Sequence, residues 1–328
     1  MDRLKEERQN MEVFTADCAF KAVFAAPRAE LVRTESGAEI HLPLPMLGGA
    51  VQEAWGGPGA VLRWCEPFLV TEEEDRLVGA ALVEITDRLE DPVEILYNRL
   101  LEITRDWHLY RIWNFVPEIN ATHHGLEHYR QFNIGRWAAF EGRFGRDLRA
   151  YMPAASAVGI RGRHFVVMFK AGKTKPLYFE NPSQVPAYHY PADYGPRPPG
   201  FARGVVIDRA HGRTAFLSGT ASIEGHRSVG EDDWAFQFKT TLHNMEIMFE
   251  RMGIPQALEA GAWGQGGIEE GQFKCYLRAQ EAYPLVKDWF IEHTGLDESR
   301  LTFLQADICR RELDIEIEAM IRARLPEG

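Results

Sequence analysis

The hydrophobic pattern divides the chain into short strands and longer helices. Brief apolar runs over 12–26, 38–44 and 62–70, broken by Pro, Gly and polar residues, predict strands. Residues 1–10 read as a mobile arm, and the Gly-rich stretch 47–59 reads as a loop. Over 92–107, apolar residues at 93, 96, 100, 103 and 107 follow a helical period, with Asp91 as N-cap, Pro92 in first position and Glu94 in the first turn. A strand at 109–116 is ended by Pro117. A second helix, 126–144, has apolar positions at 126, 129, 137, 140 and 144, and strands at 156–160 and 164–170 are joined by Arg161-Gly162-Arg163.

The same order then returns. A strand and turn at 213–225 precede a helix over 234–252, apolar at 238, 242, 245, 249 and 252. A strand at 273–278, a helix from Pro284 to just before Gly295, and strands at 301–308 and 313–320 complete the chain. Helix, strand, helix and strand pair recur about 145–165 residues apart, an internal duplication in element order. The expectation is an α+β fold of two related halves, each a mixed β-sheet with two helices on one face. Residues 1–175 form the first half, 176–205 a connecting loop and 206–328 the second half.

The connecting segment, Tyr178 to Gly204, fits no regular element. Prolines at 182, 186, 191, 196, 198 and 199 remove backbone donors and fix φ, and glycines at 195 and 200 add bends. Tyrosines at 178, 188, 190 and 194, with Phe179 and Phe201, give it an aromatic content foreign to disorder. It reads as a stiff, preformed wall of a binding site. An Ω-like loop packed on the surface by its own rings is the plainer account.

A net charge of −11 over 328 residues argues against a nucleic-acid partner, which requires clustered Lys and Arg. No apolar run reaches the ~18 residues of a membrane span, and the first ten residues are too charged for a signal peptide. Cysteines 18, 65, 275 and 309 show neither a CxxC pair nor disulfide-like spacing. Cytoplasm is the expected location.

Four stretches invite chemical readings. In Leu313-Asp314-Ile315-Glu316-Ile317-Glu318, period-2 alternation puts three aliphatics on one face and three acids on the other. With that face in water this is an ordinary half-buried strand. Facing a pocket, like charge and desolvation raise a carboxyl pKa and create a general acid, with Glu316 the central candidate. His124-Gly-Leu-Glu127-His128 matches an inverted zinc-peptidase pattern, but Gly125 weakens a helix there and no third ligand follows, so polar residues at a helix entrance is the preferred reading. Glycines 261, 264, 266 and 267 follow no strand in dinucleotide-binding fashion and read as a flexible loop. Ser218 and Ser222 have no His–Asp arrangement beyond His226, which leaves a serine hydrolase poorly supported.

The stretch 212–253 resembles the core of the RidA (YjgF/UK114) fold, with Ser218-Gly219 ending a strand and Gln237 and Asn244 on the helix that follows. The ending Ile315–Ala319 resembles the RidA C-terminal strand, whose site glutamate matches Glu316. Arg300 stands one residue out of step with that family's carboxylate-binding arginine. Over residues 60–320 the chain more closely resembles the chorismatases, through RIWNFVPEIN (111–120), YRQFNIGR (129–136), the 178–204 loop and FLSGTASIEGHRSVG (216–230).

This resemblance implies two RidA-like halves, the second catalytic, and cleavage of chorismate to pyruvate and a ring product without cofactor or metal. It implies Glu316 as the acid and Tyr188 and Tyr194 as site-lining tyrosines, with Arg203, Arg278 and Arg300 as candidates for the substrate carboxylates. The pocket is expected between the loop and the C-terminal sheet. Ala221 and Cys309 resemble the positions that separate hydrolytic from aromatising members. Cysteine points to 3-hydroxybenzoate, alone or with 4-hydroxybenzoate, whereas alanine points to a dihydroxycyclohexadienoate. Hydroxybenzoate formation is favoured, because Cys309 lies seven residues before Glu316 on the neighbouring strand. A RidA-like imine hydrolase and a metabolite-binding module without turnover are the competing readings. Both a monomer and a small homo-oligomer fit the sequence.

Overall fold

In the computed structural model, residues 14–15, 19–57, 59–210 and 212–325 are described. The expected arm at 1–10 and Cys18 lie outside them. The first half comprises β1 (Phe68–Glu72), β2 (Arg76–Glu84), α1 (Glu90–Ile103), β3 (His108–Pro117), α2 (His128–Phe144), β4 (Ala154–Ile160) and β5 (His164–Gly172). The second comprises β6 (Gly204–Arg209), β7 (Gly212–Ala221), α3 (Trp234–Arg251), β8 (Ile268–Leu277), α4 (Tyr283–Thr294), β9 (Leu301–Gln305) and β10 (Ile315–Ala323). The sheets run β1-β2-β5-β3-β4 and β6-β7-β10-β8-β9. In each, the last strand inserts antiparallel at the centre, and the two strands that alternate with helices, β3 with β4 and β8 with β9, are parallel. The duplication of element order is thus a duplication of topology.

Alternation places the core. In β10, Ile315, Ile317, Ala319 and Ile321 pack under α3 and α4 with Phe238, Met245 and Phe290. In β5, Phe165, Val167 and Phe169 do the same under α1 and α2 with Leu96, Leu100 and Phe140. The apolar stripes of the helices are what they bury: Val93, Leu96 and Leu100 in α1, and Phe238, Leu242, Met245 and Phe249 in α3. Each such side chain contributes about 1.5–3 kcal/mol on full burial. The opposite faces of the sheets turn toward each other, and Trp113, Phe115, Val166 and Met168 share a core with Ala221, Tyr276, Leu304 and Leu313. The central strands are therefore buried on both sides.

Local expectations fail in four places. The predicted strand over 62–70 is two strands, Val61–Cys65 and β1, because Pro67 brings no donor to a ladder and sits at the turn between them. The Gly-rich 47–59 is not simply a loop. Met46–Gly48 pairs with β9 of the second half, and Gln52–Trp55 joins Ala19–Val23 in a separate four-stranded sheet. Those partners are remote in sequence, so no local pattern announces them. Asp91 is not the cap of α1; the helix begins at Glu90, and the Leu89 N–H donates to Gln131 Oε1 of α2 at 2.9 Å. The connecting loop begins in a ladder, since Leu177–Phe179 pairs with residues 204–206.

Candidate active site

The acidic face of β10 does not meet water. Glu316 and Glu318 are 3% and 4% exposed, and both look into the space between the sheets. Ser218 and Gly219 make room for Glu316. The β7–β10 register pairs Leu217 with Ala319 and then Thr220 with Ile317, so Ser218 and Gly219 together oppose Glu318 as a bulge. A Cβ on Gly219 would lie 2.0 Å from Glu316 Oε1, so only glycine lets the carboxyl sit there. Ser218 pins the bulge: its hydroxyl donates to the Ala202 carbonyl at 2.6 Å and accepts from the Ala155 N–H at 2.9 Å. One side chain thereby ties second half, loop and first half together.

Glu316 Oε1 is buried without a hydrogen-bond partner. Burial first, and the neighbouring Glu318 second, push this carboxyl up to about 8, against the pull of Arg111 and Arg203. Glu318 goes the other way, to about 2. Burial alone would raise it, but Arg111, Lys274, Ser156 and Trp113 hold it ionised. Two carboxyls on one strand face are thus driven apart by their partners.

Glu316 opens on a cleft of about 550 Å³, including the part open to solvent. The first half lines it with Asn114, Asn133, Arg136 and Ser156, the loop with Tyr190, Phe201 and Arg203, and the second half with Gly219, Ala221, Cys309 and Arg310. Asn133 and Arg136 are a helical turn apart on α2. Both amide atoms of Asn133, and Nε and Nη2 of Arg136, are buried without a partner. Arg203 donates to the Tyr190 hydroxyl at 2.6 Å, and its Nε also lacks a partner. Unpaired buried donors of this kind are costly, and a bound anion would satisfy them.

The loop is held as a wall by specific contacts. The Val185 N–H donates to the Gly225 carbonyl at 2.8 Å, and the Gly225 N–H donates to Ser183 O at 3.1 Å. Arg310 lies over the rings of Tyr194 and Tyr190, 4.1 and 5.0 Å from their centroids, and donates to the His226 carbonyl at 2.8 Å. Asn244 anchors the turn after β7 by donating to Ala221 O and Ile223 O, and Gln237 accepts from the Asp314 N–H at 2.8 Å.

The residues singled out in the sequence divide into two groups. Glu316, Arg203, Ala221 and Cys309 meet in the cleft, where Ala221 is the cross-strand neighbour of Glu316 and burial pushes the Cys309 thiol up to about 12. Tyr194 stands behind the lining, its hydroxyl 3.1 Å from His226 Nδ1 and its ring under Arg310. Tyr188 is outside the cleft, packed with the first-half core beside Glu180, whose carboxyl burial pushes up to about 7. Arg278 also lies outside. It donates to Asn120 Oδ1 and to the carbonyls of Leu313, Ile308 and Arg310, clamping the 307–314 turn. Arg300 stacks on Trp263, 4.7 Å from the ring centroid, away from the cleft. Sequence reasoning passed over Tyr190, Asn133, Arg136 and Arg310. Polar residues on the apolar-patterned α2 were the available sign for Asn133 and Arg136, and nothing local marked Arg310.

The H-x-x-E-H segment is not helical before His128. Thr122–His123 and Leu126–Glu127 pair across the turn at Gly125, so the motif residues separate. His124 pairs with Asp87 at 2.6 Å, and His128 Nδ1 contacts the Pro117 carbonyl at 2.8 Å. Among the described residues, the set whose ligand atoms do approach one another, within 4.8 Å, is Glu118, His123 and His128.

Three comparisons bear on this site. The family model for the N-terminal part of FkbO/Hyg5-like chorismatases matches residues 53–171. A 3-hydroxybenzoate synthase of Streptomyces hygroscopicus is 34% identical over 252 residues, 74% of this chain and 72% of that protein. A chorismatase of the same species is 33% identical over 257 residues, covering 75% and 71%. A crystal structure of a chorismatase aligns over 92% of both chains with a TM-score of 0.81 and 27% identity.

Proposed function

This chain belongs to the chorismatase family, and on that premise we propose that it cleaves the enolpyruvyl ether of chorismate to pyruvate and a hydroxybenzoate, with Glu316 as general acid. The observation that carries the role of Glu316 is its setting: a buried carboxyl with an unpaired oxygen, pushed up to about 8, on the wall of the shared cleft. An enol ether breaks once its terminal methylene carbon is protonated. That requires an acid that still holds its proton near neutrality yet can release it, which an ordinary exposed glutamate does not do. Proton transfer from Glu316 gives an oxocarbenium ion. The ring C–O bond then breaks, its electron pair going to the pyruvate oxygen, and the ring cation becomes hydroxybenzoate by losing a ring proton, which the Glu316 carboxylate can take back. Pyruvate plus hydroxybenzoate together have the composition of chorismate, so this outcome consumes no water.

The substrate is a dianion, and Arg136 and Arg203 offer it buried guanidinium N–H groups that the protein leaves unpaired. Arg310, stacked on the loop tyrosines, adds a third positive charge to the cleft. Asn133 can meet a hydroxyl or carboxylate oxygen. Cys309 and Ala221 both line the cleft and so can both influence what happens to the ring. Alanine at 221, directly across from Glu316, resembles the hydrolytic branch and supports a second outcome, in which water enters and the product is a dihydroxycyclohexadienoate. Incubation of the purified protein with chorismate, without added metal, should release pyruvate together with hydroxybenzoate on chromatography. No pyruvate above the spontaneous background would sink the proposal, and a diol as the main product would select the hydrolytic outcome.

A further inference from the structure

Glu318 carries no step of the reaction above, yet four side-chain donors converge on it. It accepts from Arg111 Nη2 at 2.6 Å, Trp113 Nε1 at 2.6 Å, Lys274 Nζ at 3.2 Å and the Ser156 hydroxyl. Three of these donors belong to the first half and one to the second. Lys274 is also 2.8 Å from Glu53, which comes from the separate N-terminal sheet. Arg111, Lys274 and Glu318 are each no more than 6% exposed, and Glu53 is 15% exposed. Arg111 and Lys274 balance Glu318 and Glu53, and Lys170, pushed down to about 7 by burial, borders Glu53 and Lys274 from the first half. Glu316 stands two positions along the same strand face, about 6–7 Å by strand rise, and its ionisation would set a second anion beside Glu318, whose own charge the cluster's cations already meet.

We propose that Glu318 is a positioning residue for the acid: pinned as a permanent anion by donors from both halves, it keeps Glu316 protonated until substrate takes the proton. The proposal rests on the reading of Glu316 as general acid. The other groups facing Glu316 bear on the balance as follows. Arg111 and Arg203 favour its ionised form and oppose Glu318. Cys309 and Tyr276, both pushed far up by burial, stay neutral and cannot replace the missing charge. Arg136 and Arg310 line the same cleft and are the groups a dianionic substrate would occupy, after which Glu318 faces Glu316 with less opposition.

The test is the pH dependence of pyruvate release. Glu318→Gln leaves the cluster with one excess positive charge, so the alkaline limb of the rate profile should move to lower pH by about one unit or more. Glu318→Gln combined with Lys274→Met restores neutrality and should bring the limb back toward the wild-type position, which a purely structural role for Glu318 would not do. Glu53→Gln, at the edge of the network, should move the limb in the same direction by less, and it serves if Glu318→Gln fails to fold. A limb that stays in place in a folded Glu318→Gln or Glu53→Gln protein overturns the proposal. Infrared difference spectra between wild type and Glu316→Gln report the protonated carboxyl without turnover. Its carbonyl band should be present at neutral pH and should vanish at lower pH in Glu318→Gln. If the band behaves so but no pyruvate is released, the chorismate reading fails and the role of Glu318 stands; if pyruvate is released and neither band nor limb moves, the role of Glu318 fails alone.

Discussion

The two halves share one topology and differ in what their central strands present to the space between the sheets. In β10 the inward positions are Glu316, Glu318 and Met320; in β5 they are Val166, Met168 and Lys170, and Lys170 Nζ reaches Met320 Sδ at 3.3 Å. The outward positions of both strands are apolar and pack under helices in the same way. The scaffold positions are thus equivalent, whereas the acid belongs to the second half alone. The first half supplies what the acid needs: Arg111, Trp113 and Ser156 to fix Glu318, and Asn133 and Arg136 on α2 to face a bound anion. A repeated fold yields a single site because the repeats face each other, so a residue on one central strand is completed by residues on the opposite sheet.

The sharpest test of that division is Glu316→Gln. It should lower turnover by about 10³-fold or more with little change in circular dichroism, because it removes the proton donor and keeps the shape. A variant retaining a tenth of the wild-type rate would move the acid elsewhere. Next comes Gly219→Ala, whose methyl group collides with the Glu316 carboxyl and displaces it; an error of about 1 Å costs on the order of 10²-fold in kcat. Wild-type kcat in this variant would mean that the carboxyl need not be where it lies.

Arg136→Ala and Arg278→Ala set the cleft of the first half against the clamp of the second. Loss of Arg136 should act first on the substrate, lowering kcat/KM by about 10–100-fold, the worth of a charged hydrogen bond. Loss of Arg278 should instead lower the melting temperature, since it frees the carbonyls of residues 308, 310 and 313. The reverse result would exchange their roles. The smallest effect concerns stability. With a folded value near 8 against an ordinary 4.5, Glu316 loses its proton in the unfolded chain at lower pH than in the folded one, so its presence costs stability progressively as pH rises from about 4.5 to 8. Glu316→Gln should therefore melt several degrees above wild type at pH 8 and close to it at pH 4.5, measured by calorimetry.

Much of this was legible along the chain. The helical stripes at 93, 96 and 100 and at 238, 242, 245 and 249, the alternation over 313–318 and the repeated order of elements are local periodicities, and burial follows them. The Pro- and Tyr-rich loop was recognisable as a wall because proline fixes its own backbone wherever it stands. The arginines were not legible. An arginine that binds an anion and one that clamps a turn look the same in sequence, and the difference between Arg136 and Arg278 is only which carbonyls or cavities lie within reach.

By itself, then, the sequence determined the elements, their duplication and the run of carboxyls on β10, all of which arise from spacing along one strand or helix. Only the tertiary structure decided that the acidic face is buried, that Glu318 is met by Arg111 from the opposite sheet across some 200 residues of chain, and that Glu316 has no hydrogen-bond donor on Oε1 and an anion beside it. Charge balance in a low-dielectric interior depends on what lies within a few ångströms in space, and neighbours in space are set by how the two sheets face each other.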